Sequence, residues 1–298
     1  MRLHTVALSL FVLSVFAFAA TPGGVPDTPL ATFRAETAEV HIAFSAIDKK
    51  RRPVNALSVA DFTLFRDGRP LQQKVQLERR QDAPILATIM TDVSDSMIKA
   101  VPMARNSWQW LHANLVHDDD QINYFDFGAE LSPTTSPRKS AVRLTSFNDC
   151  LLKVVSQVAQ DRTRRRVILL FTDGIDNESL HPLQDAINLA IEQDVAVYAI
   201  TTWKYKINYD QQVLDYLTSS TGGRFFVVKD EKEMVSALRE IEQELRNGYE
   251  VIFRADKARE GMHRIAMQPT DRHMHFFHRT GYFQPVTATE PTLVASGR

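Results

Sequence analysis

The chain of 298 residues carries 35 Lys and Arg against 36 Asp and Glu, a formal charge of −1, with 44% apolar and 24% charged residues. These proportions exclude a disordered chain, and the balance lacks the basic excess that nucleic-acid binding needs. The single cysteine, Cys150, excludes an intramolecular disulfide framework and any multi-cysteine metal site.

At the start, Arg2 precedes an apolar run from Val6 to Ala20, broken by Ser9 and Ser14, and Ala17-Phe18-Ala19 supplies a small-x-small pattern. The run is shorter than the roughly 20 apolar residues of a membrane span. Residues 1–19 therefore read as a cleaved signal peptide, and the mature protein as secreted or held in the periplasm or cell envelope, with no membrane span of its own. Residues 20–34, opening with Thr21-Pro22-Gly23-Gly24, read as a flexible linker. Residues 35–83 read as a small β unit, with strands at Glu39 to Ile47, Phe62 to Phe65 and Lys74 to Leu77.

From Pro84 the pattern changes. Ile85 to Thr91 is a continuous apolar run, as expected of a strand covered on both faces. Helices are expected near 97–115, 148–159, 183–193, 211–219 and 231–245, with strands near 122–127, 167–171, 195–201 and 225–228. This alternation predicts an α/β fold over residues 84–247: a doubly wound, mostly parallel sheet with helices on both faces. Residues 248–284 return to β, with strands at Tyr249 to Phe253, His263 to Gln268 and His273 to Phe277, and 285–298 read as a loose tail. Two or three strands need another apolar layer. The alternating Val40, Ile42 and Phe44 and the pair Val251 and Phe253 therefore predict one small β-sandwich built from both flanks, with the central domain inserted between its halves.

Two loops carry the chemistry. Thr91-Asp92-Val93-Ser94-Asp95-Ser96-Met97 joins the first buried strand to the first long helix. Asp92, Ser94 and Ser96 offer one carboxylate and two hydroxyls, an oxygen set suited to a hard cation. The same residue types are also the preferred helix N-caps. Phe171-Thr172-Asp173-Gly174 ends a second buried strand, with Asp176-Asn177 extending a polar rim. In a doubly wound sheet of order 3-2-1-4-5-6 the two loops face each other beyond the carboxyl ends of neighbouring strands.

Together these segments resemble the von Willebrand factor type A domain and its metal-ion-dependent adhesion site. The resemblance runs from about Pro84 to Gly248 and includes Thr221-Gly222-Gly223-Arg224-Phe225. The flanks, Ala60-Asp61-Phe62-Thr63-Leu64-Phe65-Arg66-Asp67-Gly68 and His278-Arg279-Thr280-Gly281-Tyr282, resemble VWFA-related proteins abundant in Acidobacteria. The resemblance implies one Mg²⁺, or Mn²⁺ or Ca²⁺, held by Asp92, Ser94, Ser96, Thr145 and Asp173. It also implies a protein partner that presents an Asp or Glu carboxylate. Thr145 and Asp149 fall in register with the family's pattern, but both glycines before the threonine are absent, and Asp95 replaces a usual glycine.

An enzyme has less support. There is no Gly-x-Ser-x-Gly elbow and no Walker loop, and Ser94 stands where a haloacid-dehalogenase phosphatase needs a second Asp. The remaining alternative is a scaffold whose metal site has lapsed. His273, His275 and His278 read as solvated strand residues, and Arg162 with Arg164-Arg165-Arg166 as a solvated basic patch. Trp203, Tyr205 and Tyr209 read as an aromatic rim or as cover for the next helix.

Overall fold

The computed structural model describes residues 39–81, 83–114, 117, 119–134, 144–202, 209–255 and 260–284. The chain divides into units 1–36 and 37–298, and every described residue belongs to the second. The leader, linker and tail lie outside the described residues, as do Trp203, Tyr205 and the side chain of Tyr209.

The first flank supplies β1 (Glu39–Ile47), β2 (Phe62–Arg66), β3 (Arg69–Pro70) and β4 (Gln76–Gln81). The central region runs β5 (Ile85–Asp92), α1 (Val101–Asn114), β6 (Gln121–Phe127), β7 (Leu131–Pro133), α2 (Phe147–Val158) and β8 (Arg165–Phe171). It continues with α3 (Leu183–Glu192), β9 (Val195–Thr202), α4 (Tyr209–Thr221), β10 (Phe225–Val228) and α5 (Glu231–Arg246). The second flank supplies β11 (Asn247–Arg254), β12 (Gly261–Pro269), β13 (His275–His278) and β14 (Gly281–Gln284).

The central sheet has the order β10-β9-β8-β5-β6-β7, all parallel except β7, which pairs antiparallel with β6. This is the expected doubly wound α/β fold. All eight residues of β5 are buried because β5 lies between two strands and under helices on both faces. Alternate residues serve opposite layers. Leu86 and Met90 pack with the apolar faces of α2, α3 and α4, while Ile85, Ala87 and Ile89 pack with those of α1 and α5. The three-residue β7 was not expected, since a strand so short, ending in Pro133, carries no period to read.

The flanks form two four-stranded sheets, β13-β1-β11-β4 and β14-β12-β2-β3, each drawing strands from both ends of the described region. Their inner faces share one core, which includes Val40, Ile42 and Phe44 of β1, Phe62 of β2, Val251 and Phe253 of β11, and Ile265 of β12. Phe44 stacks on Tyr249 at 5.6 Å and meets Phe62 edge-on at 5.9 Å. The expected shared sandwich is therefore the arrangement found. Gly281–Gln284, within the stretch expected to be β but not among the strands named from the sequence, is a further strand paired with β12.

The closing phrase joins the sandwich to the central domain. Arg279 donates to the Ile191 carbonyl at the end of α3 and to the His41 carbonyl of β1, and pairs with Asp194 at 3.1 Å. Gly222 has φ +88°, and a Cβ there would fall 2.7 Å from the Arg279 nitrogen. A Cβ on Gly223 would fall 2.0 Å from the Val197 carbonyl oxygen. The Gly-Gly pair is thus set by close approach of backbones on two sides.

Two expectations are corrected. Arg162 is exposed, as expected, but the next three arginines are half-buried and bonded rather than a solvated patch: Arg164 pairs with Asp161 at 2.8 Å, Arg165 donates to the Leu245 carbonyl at the end of α5, and Arg166 donates to the Asp161 carbonyl. His278 is not a solvated histidine either. Its Nδ1 donates to the Arg279 carbonyl at 2.7 Å, and its Nε2 accepts from the Met267 backbone N–H at 3.2 Å. His273 and His275 are exposed, as expected.

Candidate metal centre

β5 and β8 are parallel neighbours with Thr91 opposite Phe171, so the residues that follow, Asp92 and Thr172, emerge side by side at the carboxyl edge. Thr172 Oγ1 donates to Asp92 Oδ2 at 2.7 Å, and the Ser94 backbone N–H donates to Asp92 Oδ1 at 2.9 Å. The two acidic loops therefore meet, as the strand order requires.

Beyond Asp92 the chain makes a short 3₁₀ turn, Asp95–Met97, before α1 begins at Val101. Ser94 stands at the N-cap position of that turn, yet its side chain makes no capping bond. Its hydroxyl lies instead 3.1 Å from the Ser96 hydroxyl. The capping alternative is thus unrealised for the Ser94 side chain. Ser94 is buried and Ser96 exposed, so the hydroxyl pair spans the protein surface.

Asp173 is half-buried, and its Oδ1 accepts from the Ile175 N–H at 3.2 Å. Gly174 follows with φ +84°, a conformation that favours glycine and turns the loop back over the sheet edge. The Gly174 N–H returns to Thr172 Oγ1 at 3.1 Å, so one hydroxyl fixes both Asp92 and the turn.

Thr145 sits just before α2 and is 2% exposed. Its N–H donates to Asn177 Oδ1 at 2.8 Å, and its carbonyl accepts from the N–H groups of Asn177 and Glu178. Ser146 N–H donates to the Gly128 carbonyl just past β6. Thr145 is thereby fastened to the Asp173 loop, although among the described residues its side chain makes no hydrogen bond to Asp92, Ser94, Ser96 or Asp173.

Asp176-Asn177, read as a polar rim, and Asp149, read as in register with the family's pattern, brace the site, a role that the sequence did not assign to them. Asp176 Oδ1 accepts from the Phe147 N–H at the start of α2, and Asp176 Oδ2 accepts from Asn148. Asp149 accepts from the N–H groups of Leu180 and His181, and those bonds hold its carboxyl below the usual carboxylate range. Asp149 thus holds the loop rather than facing the cluster. The available signal was an Asp-Asn pair in a glycine-turned loop, residue types that bond neighbouring backbone.

The electrostatics centre on Asp92. Burial pushes its carboxyl up to about 6, with the nearby Asp173 charge adding to the rise and bonds from Ser94 and Thr172 opposing it. Among the described residues neither Asp92 nor Asp173 pairs with a basic side chain. No group of three or more His, Cys, Asp or Glu able to hold a metal occurs among those residues. The donors here are two carboxylates and neighbouring hydroxyls, an all-oxygen set that suits Mg²⁺, Mn²⁺ or Ca²⁺ rather than a softer ion. Nearby Cys150 is buried, which pushes its thiol up to about 11 and leaves it a core residue.

Residues 138–244 match the von Willebrand factor type A domain family. The matched stretch contains Thr145 and Asp173 and begins beyond Asp92, Ser94 and Ser96. No curated protein matches the sequence. Among solved structures, a von Willebrand factor type A protein from Catenulispora acidiphila is similar at 10% identity, over 85% of this chain and 76% of that one, with a TM-score of 0.49. Proximal thread matrix protein 1 from the mussel byssus is similar at 14% identity, over 67% and 50%, with a TM-score of 0.47. The human COPII-coat protein Sec24c is similar at 11% identity, over 70% and 44%, with a TM-score of 0.42. The chain thus spans half or less of the byssus and coat proteins. The A-type match covers the half of the doubly wound sheet formed by β8, β9 and β10, while β5, β6 and β7 lie before it.

Proposed function

We propose that this chain is an exported protein-binding module that grips an Asp or Glu side chain of a partner through a divalent cation. The observation that carries the reading is Asp92: a carboxylate with 1% exposure and no basic partner among the described residues, beside Asp173 and the Ser94–Ser96 hydroxyl pair. A buried carboxylate is costly without a compensating charge. A hard cation supplies that charge to an all-oxygen set.

In this reading Ser94 and Ser96 ligate directly, Asp92 and Asp173 ligate directly or through water, and Thr145 adds a hydroxyl from the α2 side. A cation held largely by neutral oxygens keeps positive charge, and a partner carboxylate completes its oxygen shell. A-type domains are generally protein-interaction modules, which supports binding over catalysis. Export rests on the leader pattern of residues 1–19, and no helix among the described residues is long and apolar enough to cross a membrane.

The test is affinity capture with the full mature chain as bait, in Mg²⁺ and in EDTA. The expected result is a complex that forms in Mg²⁺, is released by EDTA and weakens when one partner acid is changed to its amide. A complex indifferent to chelation overturns the reading. A chain that gives no response to Mg²⁺, Mn²⁺ or Ca²⁺ in titration is a scaffold with a lapsed site.

A further inference from the structure

A cavity of about 360 Å³ lies beside the metal-site loop, between α3 and α4. Leu183 and Ile187 of α3 and Val213 and Tyr216 of α4 wall it, and Gly174 and Asp176 of the Asp173 loop form one side. The cavity and the oxygen cluster are therefore two faces of one loop.

The polar groups around the cavity are already engaged. Asp176 accepts from the Phe147 N–H, the Asn148 amide and the Ser179 hydroxyl. The Asn148 amide also reaches the His181 carbonyl. Gln184 accepts from the Tyr216 hydroxyl and donates to Asn188. With those groups already bonded, a charged or strongly polar guest would lose water and gain little from them, while Leu183, Ile187, Val213 and the Tyr216 ring offer apolar contact.

The surface around the cluster points the same way. Ile98 follows the Ser96 turn, Leu144 precedes Thr145, and Ile175 and Leu180 lie on the Asp173 loop. All four are exposed, Leu180 at 90% and the others at 38–43%. Single exposed aliphatic residues are ordinary. Here they stand on three loops that the Thr172–Asp92 and Thr145–Asn177 bonds draw to one edge of the sheet, beside the oxygen cluster.

We propose that this cavity receives a large apolar side chain, aliphatic or aromatic, from the same polypeptide partner whose carboxylate meets the cation. This rests on the metal-dependent reading above and adds the second half of the recognised element: an acidic residue with a large apolar residue a few positions away. Val213 and Tyr216 act as specificity-determining residues, and the cation supplies the common anchor.

The test uses an array of synthetic decapeptides in Gly and Ser, each with one central Asp and one Leu or Phe walked along the other positions. A parallel set carries Asn in place of Asp. Binding of the labelled full mature chain is read in Mg²⁺ and in EDTA. The expected result is one position, or two adjacent ones, at which Leu or Phe raises retention tenfold or more over the Gly/Ser peptide. That gain disappears in Val213→Lys and shrinks in Tyr216→Ala, while both variants keep the parent's Mg²⁺-induced rise in melting temperature and so remain folded with an intact cluster. Retention that never exceeds the Gly/Ser peptide, or that is the same in Val213→Lys as in the parent, overturns the cavity and leaves the metal reading in place. Retention that survives EDTA and the Asp-to-Asn change overturns the metal reading itself.

Discussion

The hydroxyl of Thr172 donates to Asp92 Oδ2 across 2.7 Å, tying the loop after β8 to the loop after β5. The bond follows from register, because the two strands are parallel neighbours with Thr91 opposite Phe171. It also decides what Asp92 can do. One oxygen is held by Thr172 and the other by the Ser94 N–H, so the carboxylate cannot swing away to solvent. Its remaining lone pairs are fixed in place before any ligand arrives, and such preorganisation is what a binding site needs.

Mg²⁺ or Mn²⁺ should therefore raise the melting temperature of the purified chain. A ligand that binds only the folded state at 100 times its dissociation constant adds about 2.7 kcal/mol. For a chain of this size that corresponds to roughly 4–5 °C. Asp92→Ala should abolish the rise. Because Asp92 also braces two loops, Ser96→Ala is the cleaner variant: Ser96 is exposed, so the fold should persist while the metal response weakens. A Ser96→Ala protein with the parent's full response would remove Ser96 from the site.

The main sheet was legible because its strands are continuous apolar runs and its helices repeat with the right period, and the two acidic loops followed from where those strands end. The sandwich was legible from alternation at Val40, Ile42 and Phe44, which demanded a second layer. Less visible were features set by single long-range bonds. Nothing local marks His278 as an acceptor for the Met267 N–H, or Arg165 as a cap on α5, because those roles depend on which backbone groups the fold leaves unpaired. The bracing of Thr145 by Asn177 was hidden for the same reason.

Asn177→Ala removes the acceptor for the Thr145 N–H, a bond whose loss costs about 1 kcal/mol. The carbonyl of Thr145 still holds the Asn177 and Glu178 N–H groups, so the loop should remain in place but loosen. Mg²⁺ affinity by calorimetry should fall several-fold, with the melting temperature only slightly lower. An unchanged affinity would mean that Thr145 contributes nothing to the ion.

Burial holds the His278 imidazole below the ordinary histidine range, with the bond to the Arg279 carbonyl opposing the shift. Between the lowered folded value and the ordinary value near 6.5, the unfolded chain binds more protons than the folded one. Stability from this group is fully present above that window and is lost as pH falls through it, at up to about 1.4 kcal/mol per pH unit. Protonation would also put a hydrogen on Nε2, where the Met267 N–H now donates. Urea denaturation from pH 7.5 down to 5 should show a shallower pH dependence in His278→Gln than in the parent. Parallel curves would mean that His278 titrates normally.

The sandwich makes the two flanks mutually dependent, and a truncation measures that dependence. β1 lies between β11 and β13, both from the second flank, and among the described residues its own flank offers it only the isolated bridge from Ile47 to Pro53. β2 likewise pairs with β12 along Phe62 to Arg66, and its own-flank partner is only the two-residue β3. A chain ending at Gly248 removes nearly all of β11 and the whole of β12 to β14. The inner residues Ile42, Phe44 and Phe62 would then face water. Hydrogen exchange should show amides from Glu39 to Leu77 losing protection in the truncated chain, while those of β5, β8 and β9 keep theirs, because the pairings of those strands lie wholly within the central sheet. Retained protection across Glu39 to Leu77 would mean that the first flank holds together on the central domain alone.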